Sequence, residues 1–113
     1  MAAGYQELFI EQGSDYSTTI TLNDVDGSAY DLSNYTGKSQ MRKSYYSTNA
    51  TAEFVITISD PTTGVIGINL DSANTANIAA GRYVYDVVIK TESNVKTRVL
   101  EGIVNVLPQV TVF

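Results

Sequence analysis

Apolar and polar side chains alternate with a period of two through most of this chain, and that period predicts strands with one face in a core. Residues 16–22 are the cleanest case: Tyr16, Thr18, Ile20 and Leu22 share one face, and Ser17, Thr19 and Thr21 share the other. Residues 52–58 send Phe54, Ile56 and Ile58 inward against Glu53 and Thr57, and residues 65–70 do the same with Ile66, Ile68 and Leu70. Residues 5–11 set Leu8 and Ile10 against Phe9, and residues 38–45 point Ser39, Met41 and Tyr45 inward. Residues 82–90 are apolar on both faces, with Tyr83, Tyr85, Val87 and Ile89 on one and Val84 and Val88 on the other. Such a strand is central in its sheet or meets a second protein on its outer face. The longest strand is predicted over 95–107, with Leu100, Gly102, Val104 and Val106 on one face and Val99 and Ile103 opposite. Gly102 in its middle predicts a bulge or a close approach by neighbouring backbone.

Turn chemistry separates these runs. Asp26-Gly27 supplies the positive φ of a primed hairpin turn, and 29–32 is a short extended return from it. Asp60-Pro61 and Gly64 frame another turn. Residues 71–78 form the only predicted helix, one to two turns long, capped by Asp71 or Ser72 and ended by Gly81. After Pro108, residues 109–113 read as a terminal edge strand. The pattern predicts an all-β, antiparallel β-sandwich of about seven to nine short strands with one helical turn. With no linker or repeat, 1–113 reads as a single domain.

Composition removes chemistry from this picture. The chain has no Cys and no His, so thiolate ligands, disulfides and the usual neutral-pH acid/base group are all missing. Seven basic and twelve acidic side chains give a net charge of −5, which argues against nucleic-acid binding through a basic footprint. No apolar run reaches membrane-span length, and the first residues have neither the basic nor the apolar region of a signal peptide.

The remaining polar motifs are weak. Asp24-Val25-Asp26-Gly27-Ser28 has two alternating carboxylates but no closing Glu, and reads as a hairpin turn rather than a calcium loop. Glu53, Asp60, Asp71 and Asp86 are too scattered to predict a glycosidase pair. Asp86 sits among apolar neighbours, so a structural ion pair with Arg98 or Arg82 is expected. Lys38, Arg42 and Lys43 with Tyr45 and Tyr46 form a local basic-aromatic cluster. No catalytic, metal or cofactor-binding residue is predicted, and the chain reads as a non-enzyme.

Eight Tyr point instead to protein surfaces, because Tyr offers rigid area with a polar tip at little entropic cost. Tyr5, Leu8, Phe9, Tyr45, Tyr46, Val84, Val88, Val110, Val112 and Phe113 are the predicted interface residues. Unpaired edges make the two terminal segments, 2–11 and 109–113, candidates for strand addition.

Three stretches resemble a family of small tailed-bacteriophage proteins. These are Asp31-Leu32-Ser33-Asn34-Tyr35-Thr36 running into Ser39-Gln40-Met41-Arg42-Lys43-Ser44, then Ala80-Gly81-Arg82-Tyr83-Val84-Tyr85-Asp86-Val87, and then Leu100 to Val106 with Pro108-Gln109-Val110-Thr111. The family includes virion structural proteins of T4-like phages of cyanobacteria, and the pattern is similar to the N-terminal domain of phage upper baseplate proteins. The resemblance implies an immunoglobulin-like sandwich and a non-enzymatic place on the virion, in capsid decoration, tail, baseplate or fibre attachment. It also implies assembly in the host cytoplasm, with copies of itself and larger virion proteins as partners. The alternative reading is a carbohydrate-binding or adhesion module that stacks sugars on exposed Tyr45, Tyr46 or Tyr35.

Overall fold

A computed structural model describes residues 4–24 and 26–112. Eight strands follow one another: β1 (Gly4–Tyr5), β2 (Leu8–Glu11), β3 (Tyr16–Thr21), β4 (Thr36–Arg42), β5 (Ala52–Thr57), β6 (Val65–Leu70), β7 (Gly81–Lys90) and β8 (Lys96–Leu107). A single turn of helix, α1 (Ser72–Thr75), separates β6 from β7. The hydrogen-bonded order is β1-β8-β7-β4-β5-β6-β3, with β2 also on β8.

This continuous path folds over on itself at β5. Its first half pairs with β4 (Phe54 opposite Ser39), and its second half pairs with β6 (Val55 opposite Asn69). Gly37 allows the fold-over, since a Cβ there would run into the Ile56 side chain. The result is two layers: a large one of β1/β2, β8, β7 and β4, and a small one of β3, β6 and β5. The chain is an immunoglobulin-like β-sandwich, with three strands facing a sheet whose first strand lies beside its last.

The core lies between the layers. Met41, Ile66, Ile68, Val87, Ile89 and Val104 are fully buried, as alternation predicts. Phe54 holds the two layers together through tilted contacts with Tyr16 (6.3 Å between centroids) and Tyr85 (6.2 Å). The buried polar side chains are satisfied. Ser39 Oγ donates to the Asp86 carbonyl at 2.6 Å, and Thr75 Oγ1 donates to the Ser14 carbonyl at 2.8 Å.

The N-terminal strands run parallel to β8 and depend on Gly102. β1 and β2 keep one register on β8, Tyr5 opposite Glu101 and Leu8 opposite Val104, but the two residues between them leave the ladder. There the Gln6 N–H still donates to the Glu101 carbonyl at 3.0 Å. The Gln6 carbonyl turns over Gly102, where a Cβ would collide with it, and accepts from the buried Tyr85 hydroxyl at 2.7 Å. Burial raises the Tyr85 pKa, which keeps this donor protonated. Gly102 is thus a close approach. The bulge lies three residues earlier, where Val87 pairs with Leu100 but Val88 pairs with Arg98.

That bulge corrects the face expected for Val99, which is buried beside Leu100. Three other expectations also change. β4 ends at Arg42, because a turn closed by the Arg42 guanidinium on the Ser47 carbonyl (2.7 Å) swings the chain away, and Tyr45 is exposed rather than inward. Gly81 does not end the helix: α1 closes at Ala76, and Gly81 begins β7. Residues 109–112 join no strand, and Phe113 lies outside the described residues.

Gly102→Ala is expected to cost roughly 1–3 kcal/mol by overpacking. Tyr85→Phe, which leaves the Gln6 carbonyl without its donor, is expected to cost about 1–3 kcal/mol. Urea denaturation should find the double variant less destabilised than the sum, because both changes act on one contact. Additive losses would contradict the coupling.

Candidate interaction surfaces

The outer face of the large sheet is built from rows that the strand register lines up. From one end to the other these are Thr36–Lys90–Lys96, Lys38–Val88–Arg98, Gln40–Asp86–Glu101, Arg42–Val84–Ile103 and Arg82–Asn105–Phe9. Half-buried Val84 and Ile103 stand side by side, and half-buried Val88 lies beyond the Asp86 row, all among charged side chains. Tyr5 and Phe9 stand at the β1/β2 edge of this face, 64% and 59% exposed. Glu7 is fixed there by the Asn105 amide, which donates to its Oε1 at 2.7 Å.

The face also gathers the cations. Lys38, Arg42, Arg82, Lys90, Lys96 and Arg98 all stand on it, which leaves only Lys43 elsewhere. Arg98 is neutralised twice, by Asp86 at 3.3 Å and by Glu101 at 3.1 Å. The pairing of Asp86 with Arg98 is therefore present, but the Asp86 side chain is 36% exposed instead of buried. Arg82 is not its partner: Arg82 stands opposite Asn105, and its carbonyl accepts from Lys43 Nζ at 3.4 Å.

The basic-aromatic cluster read along the sequence does not converge. Lys38 and Arg42 lie on the sheet, Lys43 Nζ sits 4.8 Å from the centre of the Tyr83 ring, and Tyr45 and Tyr46 project from the following loop. The predicted interface residues divide in a similar way. Tyr5, Phe9, Val84 and Val88 share the large sheet's outer face, whereas Tyr45 and Tyr46 are exposed in the loop after β4 and Val110 and Val112 are exposed in the segment after β8. Leu8 is corrected outright: it points inward from β2 and is 2% exposed, so it belongs to the core. Ile103 stands on the face opposite Leu100, where alternation placed it, but it was not named among the interface residues.

The carboxylates do not gather into a site. Asp60 caps the 3-10 turn Pro61–Thr63, Asp71 caps α1, and Glu53 accepts from Gln40 at 3.3 Å. Asp26 and Asp31 have lowered pKa values because the hydroxyls and backbone N–H groups of Ser28 and Ser33 donate to them. Among the described residues no three Asp or Glu stand close enough to hold a metal ion. Tyr35, named as a possible sugar platform, is half-buried against the core, and its hydroxyl lies 3.2 Å from that of Tyr30.

No family model matches this chain, and neither does any curated protein. Its solved structural neighbours are distant. They include the Lin-41 filamin domain, at 12% identity over 80% of this chain and 81% of that one, with a TM-score of 0.42. A chain from a structure of T cell activation by the bacterial superantigen toxic shock syndrome toxin-1 is 13% identical over 89% of this chain and 92% of the other, with a TM-score of 0.48. Extracellular domains 3–5 of Drosophila OTK are 16% identical over 93% of this chain, at a TM-score of 0.40, and the match spans 33% of the OTK chain.

Because the Asp86–Arg98 pair is solvent-exposed, Asp86→Asn is expected to cost no more than about 1 kcal/mol. Denaturant titration checks this, and a loss several times larger would mean that the carboxylate is effectively buried.

Proposed function

We propose that this domain is a non-enzymatic assembly component of a tailed-bacteriophage virion, joined to its neighbours through the outer face of the large sheet. One observation carries the reading: Val84, Val88 and Ile103 lie half-buried between rows of charge, with Phe9 and Tyr5 exposed beside them. Half-buried apolar side chains interspersed with charged and aromatic ones match the composition of a protein interface. The carboxylates support it indirectly, since Asp60 and Asp71 cap turns, Asp86 joins an ion pair and Glu53 accepts a hydrogen bond on the surface. The virion context rests on the sequence resemblance alone, and its finer alternatives (capsid, tail, baseplate) are equally served by such a face.

The carbohydrate reading keeps Tyr45 and Tyr46 as platforms but loses Tyr35, whose ring packs on the core. Mass spectrometry of purified phage particles tests the main reading. The chain should be present in fixed ratio to the other particle proteins. Its absence from intact particles, or glycan binding abolished by Tyr46→Ala, would overturn the proposal.

A further inference from the structure

The strand register places Lys90 directly opposite Lys96, with Lys38 one row away on the same face. Like charges directly opposite one another destabilise a strand pair. These lysines border a shallow concavity whose other walls include Thr36, Gln40, Val88 and Asp86. The carboxylate of Asp86 is already engaged by Arg98 at 3.3 Å, and among the described residues no ion pair reaches Lys38, Lys90 or Lys96. A chain with a net charge of −5 therefore concentrates part of its small supply of cations where they repel one another. An anionic partner seated in the concavity would turn that repulsion into attraction.

The same end of the sandwich carries a complementary surface. The loop holding Asp31 runs directly into Thr36, and the Leu32 N–H donates to the Pro61 carbonyl at 2.7 Å, which brings the Asp60 turn alongside. The Tyr30 N–H donates to the Leu22 carbonyl at 3.0 Å and ties in the hairpin that carries Asp26. Asp26, Asp31 and Asp60 are all exposed. Each is held by its own turn through Oδ1, which accepts from Ser28, Ser33 and Thr62 N–H at 2.9, 2.9 and 3.1 Å. Their carboxylates are therefore anchored at the surface.

We propose that the Lys38–Lys90–Lys96 corner docks the acidic loop end of a second copy of this chain. The proposal rests on the assembly reading above and names one of its contacts. Because the basic corner and the acidic loops are neighbours at one end, two copies meeting end to end about a two-fold axis satisfy both contacts together.

Sedimentation velocity on charge-reversed pairs tests it. The wild-type protein should self-associate at about 20 mM salt and weaken at least about tenfold by about 0.5 M. Lys90→Glu/Lys96→Glu and, separately, Asp26→Lys/Asp31→Lys should each fail to self-associate, yet bind one another when mixed. Single Lys90→Glu should also raise the thermal midpoint, since it converts the opposed lysines into an attractive pair. That readout separates lost docking from lost folding.

Association that survives both reversals would overturn the inference and leave the assembly reading standing, with the contact elsewhere. A wild-type chain monomeric at low salt, or one that instead binds a single-stranded oligonucleotide through these lysines, would also overturn it. Absence from phage particles would remove the assembly reading whatever the lysines do.

Discussion

The Gln6 carbonyl lies over Gly102 and is tied there by the hydroxyl of Tyr85, and this contact sets how the chain begins relative to how it ends. A parallel pair gains less per residue than an antiparallel one, and β1 and β2 are short. What compensates is a side-chain hydrogen bond from the core and the absence of any Cβ at the crossing. Leu8 and Ile10 can then bury their side chains beside Val104 and Val106, which covers that margin of the core. Phe9 and Tyr5 consequently face outward and extend the large sheet's outer surface. If the carbonyl were displaced, the loss would reach both the core and the face.

That outer face differs from its counterpart on the small layer. Across β3 and β6 the outward residues are Ser17, Thr19, Thr21, Val65, Gly67 and Asn69, all uncharged, with Ser17 Oγ donating to Asn69 Oδ1 at 2.6 Å. Nearly all the cations are on the other side of the molecule, among half-buried apolar residues, while much of the negative charge sits on connecting loops. A protein that needed only to stay soluble gains nothing from opposing two lysines in one row. The asymmetry makes sense for a domain with one working face and one neutral back.

Much of the sandwich was legible in the sequence because period-two alternation follows directly from the pleat. Ile20, Phe54, Ile66, Ile68 and Tyr85 are all buried where that period places them. Gly102 announced a bulge or a close approach for a reason equally local, and the close approach is what it makes. The failures arose where tertiary geometry overrides the period. The bulge at Val99 inverts the facing of one residue, and the Arg42–Ser47 contact ends β4 before Tyr45. Leu8 was read both as core and as interface, and only the parallel pairing with β8 decides between them. The Lys90–Lys96 opposition could not be read from sequence order, because register across the hairpin depends on how the Thr91–Val95 turn closes, with the Thr91 N–H donating to the Val95 carbonyl at 3.0 Å.

Reactivity of individual lysines reports most directly on whether this face is the working one. Limited acetylation, read by mass spectrometry, compares Lys38, Lys90 and Lys96 with Lys43, which leans on Tyr83 away from the proposed contact. The account predicts that the three sheet lysines react several-fold more slowly in the associated protein than in the dissociated one, while Lys43 is unchanged. Equal reactivity of all four in both states would contradict it.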